Sequence, residues 1–171
     1  YRAKYIVQAA ASLAAKPAPY LSSLDASAGT TPEQARAALM ELAGVGPKVA
    51  DCVALFSLGH LSVVPVDVHV FRVAQRDYGT DAHGADPAAQ LSTLTSLSPK
   101  AMRAVQAVFS ARYGEMAGWA HSLLFTAELA SFRGFVPPRI LADMDAFKAE
   151  ERAAKQAAKV AKGKRARADS P

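Results

Sequence analysis

Apolar residues recur at helical spacing along most of the chain, and prolines and glycines cut the pattern into short blocks. A first helix is expected from about Arg2 to Lys16, stopped by Pro17 and Pro19. Thr31, Pro32 and Gln34 have the form of a capping box with proline at the first helical position, and Ala35, Ala38, Leu39 and Leu42 then share one face. Ala43 and Gly44 end that helix. After the turn Gly44-Val45-Gly46, another opens at Pro47 and runs to about Leu58, closed by Gly59. The run Leu61 to Val70 is β-branched but contains Pro65, which would remove a ladder donor, so it reads as an extended connector entering a helix.

Asp67 is the expected N-cap of that helix, which buries Phe71, Ala74 and Tyr78 and ends before Gly79. A loop over 79–86 follows. One further helix is capped by Asp86 with Pro87 and carries Leu91, Leu94 and Leu97, and the next opens at Ser98-Pro99 and carries Met102, Val105 and Phe109. Ala117 to Phe132 predicts another, with Ala120, Leu124 and Ala127 as its stripe and His121 and Phe125 at i and i+4. A last helix starts near Arg139 and keeps an apolar stripe only through Ile140, Met144 and Phe147, so residues 150–171 are expected to be a solvated helix that frays into disorder.

The chain's 171 residues suit one domain, and 51% hydrophobic residues suffice for a buried core. Alanine, the best helix former, occurs 38 times and reinforces an all-α reading. The formal charge of +5 is not spread evenly. Residues 151–171 hold seven basic and two acidic residues, whereas residues 1–150 hold thirteen of each, so the net charge lies wholly in the tail. Any affinity of the body for nucleic acid must come from local placement of charge. The tail's Lys162 to Arg167 cluster suits a nuclear address or phosphate binding, and equally a solvated tail. One cysteine, Cys52, excludes an internal disulfide and a cysteine-rich metal cluster built by this chain alone. No stretch is apolar for the eighteen residues a membrane helix needs, and a soluble chain in a reducing compartment is expected. The start at Tyr1, inside a helical pattern, suggests a fragment.

Candidate chemistry gathers in residues 44–69. The Gly44-Val45-Gly46 turn leads into a helix start whose unsatisfied N–H groups suit a phosphate. Lys48 stands in that first turn, where the helix dipole opposes a cation and desolvation would add to the effect, the setting of a Schiff-base lysine. Cys52 follows four residues later on the same face, and Asp67 and His69 open the next helix. Taken singly, each has a plain structural reading: a turn, a solvated lysine, a small core cysteine, a helix cap.

Together these residues resemble a known family. Leu42 to Tyr78, with Gly-Val-Gly-Pro-Lys-Val-Ala-Asp-Cys, then Val-Pro-Val-Asp-Val-His, then Ala-Gln-Arg-Asp-Tyr, is similar to the helix-hairpin-helix DNA glycosylases that act on oxidised guanine. Tyr1-Arg-Ala-Lys-Tyr5 and Tyr113-Gly-x-x-Ala-Gly-Trp-Ala extend the similarity over about residues 1–133. The resemblance implies the helical domain of such an enzyme at 1–149, lacking the family's N-terminal β-rich domain, followed by a basic tail at 150–171. It also implies removal of 8-oxoguanine opposite cytosine and strand nicking by β-elimination.

On that resemblance Lys48 is the nucleophile and Asp67 the catalytic aspartate. The flipped-out base lies between Cys52 and Phe125, with Phe56 and Pro65 nearby. His121 stands where the family usually offers glutamine at the base edge, so a neutral-pH titration is expected to bear on lesion preference. Tyr1 and Arg2 are the implied wedge and cytosine contact. His69 and Gly44, Val45 and Gly46 hold phosphates, the hairpin carbonyls being able to share a monovalent cation. Double-stranded DNA is the implied partner and the nucleus or mitochondrion the implied site of action. A monomer without resident metal or cofactor is expected. The competing readings are a non-catalytic hairpin module that only grips DNA and a related glycosylase for another lesion.

Overall fold

A computed structural model describes residues 2–79, 91 and 94–168, and among these the secondary structure is entirely helical. Tyr1 and the expected cap at Asp86-Pro87 lie outside the described residues. Helices α1 (Arg2–Ala14), α2 (Pro32–Met40), α3 (Pro47–Ser57), α4 (Val68–Tyr78), α5 (Pro99–Tyr113), α6 (Ala117–Glu128) and α7 (Pro138–Ala168) follow in order, with short 3-10 turns between several of them. The chain divides into two compact units, Tyr1–Thr126 and Ala127–Pro171.

Two apolar clusters build the first unit. One gathers Leu24, Ala35, Leu39, Leu42, Ala50 and Leu58, with Ala9, Leu13 and Val45 packed against them, and so joins α1, α2 and α3. α2 begins with a complete capping box, in which Thr31 accepts from the Gln34 backbone and the Gln34 side chain accepts from the Thr31 backbone. The hairpin to α3 turns through Gly44 at φ +80°, with Tyr5 of α1 lying over it. A Cβ at Gly44 would stand 2.7 Å from the Tyr5 Cβ, so both conformation and space require glycine there.

The other cluster includes Val64, Val66, Val70, Phe71, Ala74, Val105, Phe109 and Ala117 and joins α4, α5 and α6. α4 runs over Val68–Tyr78 under an Asp67 cap, and α5 opens under a Ser98 cap that accepts from the Ala101 backbone. Between the clusters runs the connector 61–67, with Val64, Pro65 and Val66 buried and no helix until Val68.

α6 departs from its expected register and length. Its buried residues are Ala117, Gly118 and His121, whereas Ala120, Leu124 and Ala127 are only partly covered. The cause is Gly118, whose backbone N–H donates to the Leu61 carbonyl at 2.8 Å, so close that a Cβ would lie 2.1 Å from the Val63 carbonyl oxygen. The α-helix stops at Glu128 rather than near Phe132, and Ala130–Phe135 continues as a 3-10 helix.

In the second unit that turn precedes α7. Arg133 donates to both carboxylate oxygens of Asp145 at 2.8 Å, and Lys148 pairs with Glu128 at 3.4 Å. α7 continues to Ala168 through a run rich in alanine, lysine, arginine and glutamate, all strong helix formers, as the expected solvated helix, and it stays helical to that residue.

Candidate active site

A small cleft of about 70 Å³ is lined by Lys48, Cys52, Phe56, Pro65, Asp67, His121 and Phe125. Residues up to 77 positions apart in sequence line it together. Lys48, Cys52 and Phe56 come from successive turns of α3, and His121 and Phe125 from successive turns of α6. Pro65 and Asp67 come from the connector. Phe56 is 65% exposed and forms the rim, whereas Pro65 is fully buried and forms the floor.

Lys48 occupies the second position of α3. Its N-cap is Gly46, which makes no side-chain cap hydrogen bond. Lys48 is exposed, as a solvated lysine would be.

Asp67 is fixed by its own cap. Its Oδ1 accepts from the backbone N–H of His69 at 2.9 Å and of Val70 at 3.0 Å. Both bonds end on one oxygen. This single residue therefore starts α4 and presents a carboxylate held by two amides.

His121 is 5% exposed, and its Nδ1 has no hydrogen-bond partner among the described residues. Burial lowers its pKa below the ordinary histidine value, opposed by the Gly118 backbone and by Asp67 and reinforced by Lys48. The shift is toward the neutral ring, away from the ordinary near-neutral titration. His121 stacks on Phe125 with centroids 6.2 Å apart and planes 28° apart. His69, exposed, meets the other side of the group with its ring edge-on to Phe125 at 6.3 Å.

The hairpin residues Gly44, Val45 and Gly46 lie just before Lys48, and Val45 is partly buried against the α1–α3 cluster. Arg2 is exposed at the start of α1 and does not line the cleft. Sequence reading missed Asp51, which is 2% exposed and receives hydrogen bonds from Arg36 and Gln106. A signal was present. Asp51 lies between Ala50 and Ala54 on the buried face of α3, a place where a lone acid must have partners.

No family model matches the chain. It is 44% identical over 129 residues, 75% of its length, to the N-glycosylase/DNA lyase OGG1 of Arabidopsis thaliana. It is also 36% identical over 149 residues, 78% of its length, to the N-glycosylase/DNA lyase of Saccharomyces cerevisiae. A stretch of 41 residues is 49% identical to a probable N-glycosylase/DNA lyase of Methanothermobacter thermautotrophicus. An all-helical unit whose cleft is lined by a lysine from the start of one helix and a capping aspartate from the start of the next fits the helical domain of a helix-hairpin-helix glycosylase. The chain belongs to the N-glycosylase/DNA lyase family, and it spans 33% and 39% of the lengths of the plant and yeast relatives.

Proposed function

We propose that this chain carries the chemical centre of a bifunctional DNA glycosylase that excises oxidised guanine and then cuts the strand. The observation that carries the reading is the common cleft of Lys48 and Asp67, each at the start of a different helix, with Cys52, Phe125 and His121 around them.

In this mechanism the lone pair of Lys48 Nζ bonds to C1′ of the damaged nucleotide. The C1′–N9 bond breaks, and its electron pair leaves with the base, which takes up a proton. The sugar ring then opens to a protonated imine. Loss of a proton from C2′ expels the 3′ phosphate and nicks the strand, and water releases the lysine. Asp67 stabilises the positive sugar that forms as the base departs. At about 4 Å and an effective dielectric near 20, that interaction is worth about 4 kcal/mol, or roughly a thousandfold in rate.

Cys52 and Phe125 supply surfaces for the two faces of an extruded base, and His121, which lines the same cleft, stands where the base edge would lie. The first steps of α3 and the hairpin amides supply phosphate contacts. Double-stranded DNA with 8-oxoguanine opposite cytosine is the substrate this reading assigns, and the nucleus, addressed through the basic cluster in 162–167, its location.

Borohydride trapping on such a duplex tests the reading. A covalent adduct that forms with the wild-type protein and vanishes in Lys48→Gln supports it. An adduct that survives this substitution refutes the nucleophile.

A further inference from the structure

A second cleft, of about 200 Å³, lies on the same helix and the same connector as the first. Asp51 and Val64 line it, whereas their chain neighbours Cys52 and Pro65 line the cleft of Lys48 and Asp67. α3 and the connector are therefore a wall shared by two clefts. One group of hydrogen bonds ties the two parts of this wall together. Asp51 Oδ2 accepts from Arg36 Nη2 of α2 at 2.6 Å and from Gln106 Nε2 of α5 at 3.3 Å. The same Gln106 nitrogen donates to the Val64 carbonyl at 3.1 Å.

We propose that Gln106 is a positioning residue for the lysine and aspartate chemistry: its amide, bridging Asp51 on α3 to the Val64 carbonyl, sets the spacing between the helix that carries Lys48 and the connector that delivers Asp67. Lys48 precedes Asp51 by three residues, and Asp67 follows Val64 by three. A shift at either end of the bridge is thus passed to a reacting group within one turn or one short extended step. The inference rests on the proposed function.

Packing alone does not account for the group. Apolar side chains of similar volume are often as stabilising as a buried ion pair or more so, and the group is incompletely satisfied, since Arg36 Nε is buried without a partner among the described residues. What an amide offers and an apolar chain does not is fixed length and direction to two acceptors at once. Placement to this tolerance matters, because a misplacement of about 1 Å can cost roughly a hundredfold in rate.

The bridge also has an acid-sensitive end. Burial raises Asp51 to about 6, with Arg36 and Gln106 acting against the shift. Around it stand Arg36 and Glu33 from α2, Gln106 and Ser110 from α5, and Ser62 from the connector. Protonation removes its charge and weakens its hold on Arg36 and Gln106 together.

The test is borohydride trapping by the full chain on a duplex carrying an abasic site opposite cytosine, which needs no base recognition. Gln106→Leu, similar in volume, is expected to lower the trapping rate about tenfold or more while circular dichroism and DNA affinity stay at wild-type values. Equal trapping rates overturn the proposal. Should Gln106→Leu not fold, Asp51→Asn decides. The gap in trapping rate between it and wild type is expected to be wide at pH 7.5 and to close as the pH falls through about 6, and a gap constant across that range overturns the proposal. If the wild-type chain forms no adduct at all, the Lys48 reading fails on its own. The bridge is then judged by alkylation of Cys52 with iodoacetamide at fixed pH: a rate altered about threefold or more by Gln106→Leu supports its control of the cleft wall, and an unaltered rate overturns it.

Discussion

The imidazole of His121 lies nearly parallel to the ring of Phe125, one helical turn further along α6, with centroids 6.2 Å apart. Phe109 also meets the imidazole, edge-on with centroids 6.3 Å apart. Against two aromatic rings and away from water, the neutral form of the histidine is favoured, and burial lowers its pKa.

Stability should therefore depend on pH through this residue. The unfolded ring takes up its proton near pH 6.5, while the folded ring resists until lower pH, so the unfolded state binds more protons in between. The contribution is fully present above about pH 6.5 and is lost as the pH falls through the folded value. Urea midpoints measured from pH 7.5 to 5 should decline less steeply in His121→Gln than in wild type. Parallel curves would remove His121 from the account.

Asp51 should act with the opposite sign. Its folded pKa of about 6 lies above the carboxylate value of 3.8, so the folded state takes up the proton first. Acidification from about pH 6 towards 4 then adds stability to the wild type relative to Asp51→Asn, even as the hold on Arg36 loosens. The difference between the two urea midpoints, followed over that range, checks the sign.

Asp67 combines a cap with a proposed catalytic charge, and two substitutions separate them. Asp67→Asn keeps an oxygen for the His69 and Val70 amides and is expected to stay within about 0.5 kcal/mol of wild type. Asp67→Ala leaves both amides uncapped and should cost about 1 kcal/mol. Both should lose adduct formation on 8-oxoguanine duplex by roughly a hundredfold or more. Thermal unfolding beside trapping distinguishes the two contributions.

Lys48 is exposed, so Lys48→Gln should leave stability within about 0.5 kcal/mol, shifted upward if at all, because it removes a cation from the positive end of α3. Adduct formation should fall below detection. Unchanged unfolding with abolished trapping is the expected pair of results.

Gly118→Ala should be damaging out of proportion to one methyl. The new Cβ would fall 2.1 Å from the Val63 carbonyl and 2.6 Å from Leu55 Cδ1, and backbone cannot yield as a side chain tip can. A loss of about 1–3 kcal/mol in urea unfolding is expected. Displacement of α6 would also shift His121 and Phe125, so trapping on 8-oxoguanine should fall more than trapping on an abasic site.

The local signals were strong enough to be read without a fold. Thr31 with Gln34, Gly46 before Pro47, Asp67 before Val68 and Ser98 before Pro99 each set a helix start through bonds within a few residues, so sequence alone decided where α2, α3, α4 and α5 begin. The order of motifs likewise brought out Lys48, Asp67 and Cys52 as a group. What tertiary packing decided was which faces and charges those helices show. Close approach at Gly118 rotated the buried face of α6 towards His121, and packing left Lys48 exposed at the start of its helix. Asp51, Arg36 and Gln106, up to 70 residues apart, became partners through the packing of three helices. Helix starts depend on near neighbours, whereas burial and pKa depend on atoms that only the folded chain brings close.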